Sequence, residues 1–154
     1  EELVAKYVQK VLNVKKAQCK ELVPTSISSC VFNLCRLFDA LCKNLQKHEE
    51  EDIDSFKEYI EKWFVFCLIW SIGATVEESS RVEIDLILRD IQSMFPHTNT
   101  VFDYYINQEK KDWEAWEARL PANWKPQGYD FHKINVPTID TVRNRYVVQA
   151  LLDA

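Results

Sequence analysis

Residues 63 to 70 read WFVFCLIW, eight consecutive apolar or aromatic side chains, and Ser71, Ile72 and Gly73 follow them. The run continues the three-and-four spacing of Ile53, Phe56, Ile60, Phe64 and Cys67, so it forms the second half of one helix. A helix that is apolar on every face has to be enclosed by others. A membrane crossing needs about 20 such residues, and this run is far shorter. It therefore predicts a central helix whose partners the rest of the chain must supply.

Those partners are legible on both sides. Leu3, Val4, Tyr7, Val8, Val11 and Leu12 put one apolar stripe on a first helix over residues 1 to 21, which Pro24 ends. Thr25 and Ser26 offer capping hydroxyls for a second helix carrying Ile27, Val31, Leu34, Phe38, Leu41 and Leu45. The acidic stretch HEEEDID, His48 to Asp54, reads as a solvated connection whose carboxylates favour the start of the central helix. Thr75 and Glu78 have capping-box spacing, so a fourth helix is expected to begin there, lined by Ile84, Ile87, Leu88, Ile91, Met94 and Phe95 until Pro96.

Beyond Pro96 the period shortens toward two. Val101 to Ile106 (VFDYYI) and Asp112 to Glu117 (DWEAWE), separated by NQEKK, predict a β-hairpin. Trp113 and Trp116 read either as a ligand platform or, the more frequent use, as packing onto the helices. Leu120 to Ile134 is a proline-rich connector, and Thr138 or Asp140 caps a last helix bearing Val142, Tyr146, Val147, Ala150 and Leu151. The fold class is mainly α, a bundle of about four helices with a small β-hairpin and a C-terminal helix.

Composition narrows the function. Nineteen basic against 24 acidic residues give a net charge of −5, with no basic cluster beside stacked aromatics, which argues against nucleic acid as a partner. Only Gly73 and Gly128 are glycines, so the chain holds no phosphate-cradling loop. Its five cysteines lack paired spacing and His48, His97 and His132 are scattered, so no metal or disulfide framework is indicated. The cysteines read as buried or half-buried thiols of a reducing compartment. No catalytic constellation stands out, and the first and last helical patterns run to the ends of the chain, as in a piece of a longer protein.

Three stretches carry a specific resemblance. Phe64 to Arg81 (FVFCLIWSIGATVEESSR), Thr100 to Trp116 (TVFDYYINQEKKDWEAW) and Val136 to Leu152 (VPTIDTVRNRYVVQALL) resemble, in this order and spacing, the dynein heavy chain between its second and third AAA+ modules. The resemblance implies that residues 1–97 are the helical small, or lid, subdomain of the second module. It makes 98–134 a hairpin and connector, and 135–154 the opening of the third module. Its spelling is closer to axonemal heavy chains, which implies cytoplasm and cytoskeleton, in the axoneme of a cilium or flagellum.

The family's motor couples ATP turnover to microtubule affinity, so the resemblance implies neighbouring AAA+ modules, microtubules and other dynein subunits as partners. It implies no nucleic acid and no membrane. ATP or ADP with Mg belongs to the intact parent, none being bound by this piece, which is expected to be no enzyme by itself. Arg81 is implied to reach toward the phosphates of its own module. Val136, Pro137 and Thr138 are implied to line the adenine pocket of the next, with Asp140 capping the last helix and Arg143 in a structural pair. Trp70 and Gly73 are implied to be structural residues of the turn after the central helix. The rival reading is a self-contained helical adaptor that binds a protein through an exposed aromatic hairpin.

Overall fold

The computed structural model of the chain describes residues 1–43, 45, 52–126, 130, 132 and 134–153. His48 with most of the acidic connection, and Gly128, lie outside the described residues. The central helix α3 (Ile53–Ser71) opens at Asp52, whose carboxylate accepts from the backbone N–H of Asp54 and Ser55. Every residue from Lys62 to Ile69 is buried. No helix among the described residues is long and apolar enough to cross a membrane.

The neighbours enclose α3 as its pattern requires. α2 (Ile27–Cys42), capped by Ser26 accepting from the Ser29 N–H at 3.1 Å, lies along it, with Phe38 edge-on to Phe64 at 5.8 Å. α1 (Gln9–Gln18) follows a π-helical turn, Val4–Val8, and packs on α4 (Arg81–Ile91). β1 (Tyr104–Asn107) and β2 (Asp112–Ala115) form an antiparallel hairpin with Tyr105 opposite Glu114 and Ile106 opposite Trp113. Lys62 ties this hairpin to α3, its ammonium meeting Asp112 at 2.9 Å and Glu58 at 3.1 Å. α5 (Ile139–Leu152) closes the assembly against α2 and the short 3-10 turn Trp116–Arg119.

Several expectations are corrected. The first helix stops at Gln18, because the next residues pair with the turn beyond α3: Glu77 N–H donates to Lys20 O at 2.8 Å and Leu22 N–H to Thr75 O at 3.1 Å. The Thr75–Glu78 capping box does not form. Thr75 gives its hydroxyl to Ile72 O at 2.7 Å, two 3-10 turns (Gly73–Thr75 and Glu78–Ser80) follow, and the fourth helix starts only at Arg81. It also ends at Ile91, short of Pro96, since Arg89 reaches beyond it to hold Pro96 O and Asn99 O at 2.8 and 2.9 Å. Lastly, Cys35 is exposed, while Cys30 and Cys67 are buried and all five cysteines are free thiols.

The hairpin is shorter than its sequence pattern. Val101–Asp103 is a 3-10 turn closed by a Thr100–Asp103 capping box, so the strand begins at Tyr104. Asn107 Oδ1 accepts from the backbone N–H of Glu109 and Lys110, and Lys111 takes φ 52°, which turns the chain through NQEKK.

Candidate functional site

Five of the eight residues singled out by sequence meet where α3 ends. Trp70, in the last turn of α3, stands edge-on to Phe102 at 6.3 Å and to Trp116 at 6.2 Å. Gly73 comes next, and its requirement is for space. A Cβ there lies 3.1 Å from Ile84 Cγ2 and 3.3 Å from Phe102 Cζ, so any side chain crowds both.

Arg81 opens α4 with its guanidinium 5.0 Å from the centre of the Phe102 ring. Its Nε is buried and has no hydrogen-bond acceptor among the described residues. Burial, reinforced by the positive charge of Arg143, pulls its affinity for a proton below the ordinary arginine value, while Glu78, Asp140 and Asp103 oppose that. An arginine does not lose its proton on that account. The consequence is a half-buried cation held against an aromatic face with one N–H unpartnered among the described residues.

Arg143, one turn into α5, reaches back over the other side of the same cluster. Its guanidinium lies 5.7 Å from the Trp70 ring and pairs with Asp140, with Asp103 at 4.0 Å, and its side chain is 11% exposed. Asp103 is held in turn by Thr100, whose N–H and hydroxyl donate to it at 2.9 and 2.7 Å. Asp140 therefore serves Arg143, and the cap of α5 is Thr138. Its hydroxyl accepts from the Thr141 N–H at 3.2 Å, and its own N–H donates to Thr141 Oγ1 at 2.8 Å.

Trp70, Gly73, Arg81, Asp140 and Arg143 thus share one neighbourhood. Val136, Pro137 and Thr138 form the entry to α5; Val136 is 50% exposed, and its carbonyl accepts from the Thr138 N–H at 2.9 Å. Sequence reading missed Phe102, which it assigned to a strand, and the ring stack that seats α5. Tyr146 stands edge-on to Phe66 at 6.0 Å and lies 5.5 Å from Trp116, and Arg119 is sandwiched between Tyr105 and Tyr146 at 4.9 and 4.8 Å. Trp113 and Trp116 are both buried, so they pack and present no platform. Among the described residues no three His, Cys, Asp or Glu side chains gather as a metal site would need.

Comparison with known proteins identifies the family. Residues 1–118 match the dynein heavy chain AAA lid domain. Mouse dynein axonemal heavy chain 2 is 39% identical over 148 residues, which cover 96% of this chain and 3% of that protein. The dynein-1-beta heavy chain of the flagellar inner arm I1 complex of Chlamydomonas reinhardtii is 35% identical over 181 residues, covering 97% of this chain and 4% of its own length. The ciliary dynein beta chain of Heliocidaris crassispina is 29% identical across 98% of this chain. The chain thus spans a few hundredths of the length of the relatives it matches. On the match over residues 1–118 and these identities, the chain belongs to the dynein heavy chain family and carries its AAA lid domain.

Proposed function

We propose that this chain is the lid of the second AAA+ module of an axonemal dynein heavy chain together with the first segment of the third, and that its work is mechanical. Residues 1–97 are the helical lid, 98–134 the hairpin and connector, and 135–154 the start of the next module. The observation that carries the reading is the seat of α5: Tyr146 and Arg143 bring its first turns onto the rings of Trp116, Phe66 and Trp70. A lid joined this closely to the helix that opens the next module turns with it as one body. Rotation of rigid bodies is how small changes at a nucleotide site become large movements elsewhere, and a close-packed core passes on strain without yielding.

Arg81 fits a role at the phosphates of its own module. It is a cation with an unpartnered buried Nε, next to a second cation. In the intact parent ATP supplies the free energy of the stroke by phosphoryl transfer; Arg81 would bind and orient its phosphates, and Val136, Pro137 and Thr138 would border the base in the following module. This chain contributes no hydrolytic machinery, having no glycine-rich loop. The names of its relatives, axonemal, ciliary and flagellar, support a microtubule motor of the cilium or flagellum, with neighbouring modules and other dynein subunits as partners. The buried hairpin tryptophans favour this reading over a helical adaptor that binds a partner through its hairpin.

The test is Tyr146→Ala in the intact heavy chain. Basal ATP turnover is expected to persist while its stimulation by microtubules falls several-fold; full stimulation would contradict the mechanical role. The isolated chain at saturating ATP is expected to show no turnover above buffer, and turnover that Arg81→Ala abolishes would contradict its lack of catalysis.

A further inference from the structure

The C-terminal half of α1 and the first turn of α2 enclose a polar cluster that none of the foregoing uses. Lys15 is 4% exposed, and its Nζ lies 2.5 Å from Thr25 Oγ1, 3.5 Å from Cys30 Sγ and 3.4 Å from Glu21 Oε2. Thr25 donates its N–H and hydroxyl to the same Glu21 oxygen, at 2.7 and 2.8 Å, and its Oγ1 is 3.5 Å from the Cys30 sulfur. Cys30 is a free thiol, 2% exposed. The cluster lines a cleft of about 500 Å³ that Cys30 itself borders and whose wall includes the exposed Gln9, Asn13 and Lys16.

An amine and a thiol held together in a buried pocket are matched for a two-step oxidation. We propose that Lys15 and Cys30 form a reversible sulfur–nitrogen bond when the chain meets hydrogen peroxide. The thiol sulfur attacks one peroxide oxygen, the O–O bond breaks, and water leaves, so sulfur is oxidised by two electrons to a sulfenic acid. Sulfenic acids condense with a nearby nitrogen. Lys15 Nζ, having released a proton to solvent, displaces the sulfenic oxygen; the N–S bond forms, the S–O bond breaks, and a second water departs. In sum, a thiol, an ammonium and one peroxide give a sulfenamide, two waters and a proton. A small thiol reverses it by attacking sulfur, releasing the amine and then, with a second thiol, the free cysteine.

The position gives the bond a consequence. α1 packs chiefly on α4, whereas α2 packs chiefly on α3 and α5. A Lys15–Cys30 bond therefore staples the two halves of the bundle, and its stiffness becomes responsive to oxidation.

The test is peptide mapping by mass spectrometry of the 154-residue chain after peroxide treatment. The expected product has lost two hydrogen atoms, joins the peptides bearing Lys15 and Cys30, resists trypsin after Lys15, and disappears with dithiothreitol. It is expected to be absent from Lys15→Arg and Cys30→Ser. The exposed Cys35 serves as the internal control for oxidation. The proposal is overturned if Cys35 is oxidised while Cys30 stays intact, becomes a sulfinic or sulfonic acid, or enters a disulfide, and equally if the product survives in Lys15→Arg. Mapping the unsubstituted chain decides the matter even where a variant does not fold.

Discussion

Gly73 sits in a tightly packed turn. Ile84 and Phe102 would have to give way to any side chain on its Cα, so Gly73→Leu overpacks the turn and is expected to cost about 1–3 kcal/mol. For a chain of this size each kcal/mol lowers the melting temperature by roughly 3 °C, which thermal unfolding followed by circular dichroism reads directly. An unchanged melting temperature would show that the turn yields. Trp116 is the opposite case, a large side chain in contact with Tyr105, Trp70, Phe66 and Tyr146. Trp116→Ala is expected to cost about 3–5 kcal/mol, measured by urea unfolding. Glu114 carries a pH dependence. Lys110 at 2.5 Å, the Tyr105 hydroxyl and Asn107 at 2.7 Å all donate to its carboxylate and pull its pKa down to about 2. Because the folded value lies below the unfolded one, of about 4.3, this carboxylate stabilises the hairpin at neutral pH. That contribution is lost as pH falls from there toward about 2. Glu114→Gln is expected to flatten the acid limb of stability against pH, and an unaltered limb would contradict the hydrogen-bond assignment.

At the scale of elements, the sequence was most informative where burial alone decides. The apolar run from Trp63 to Trp70 required an enclosed helix, and α3 is one. The period-two aromatics marked the hairpin for the same reason, since a pleated surface half covered by helices wants them. Boundaries were decided by tertiary contacts that no local pattern encodes. Lys20–Leu22 leave the helix to pair with Thr75–Glu77, and Arg89 draws the chain out of α4 to cover the segment that leads to β1. The capping spacing of Thr75 and Glu78 is genuine in sequence, but Thr75 spends its hydroxyl on the end of the preceding helix. α5 was legible by its spacing, yet it buries no residue completely, so its cap matters more than the cap of a core helix. Thr138→Ala is expected to cost about 1 kcal/mol, seen as faster amide exchange in its first turn, and unaltered exchange there would argue for docking as the sole support.

At the scale of the whole molecule, the candidate site was half legible. The motifs led to Trp70, Gly73, Arg81 and Arg143 one at a time, but only the folded chain brings α3, α4, α5 and the turn before β1 to one point. Phe102, which lies under Arg81, and Tyr146, which seats α5, gave no local signal of a site, because an aromatic residue in an apolar pattern reads as ordinary core. What emerges is a lid with the following helix packed on its core through half-buried residues such as Val142 and Tyr146. An isolated helix of 14 residues is marginal in water, where lengths below ~12–15 rarely hold. Its order in this chain therefore measures the docking. Hydrogen–deuterium exchange of the 154-residue chain is the most direct test. The account requires amides from Val142 to Ala150 to be protected in step with α3, and Tyr146→Ala to release them while α3 stays protected. Exchange of α5 at the rate of an unstructured peptide in the unsubstituted chain would contradict the single rigid body on which the mechanical role rests.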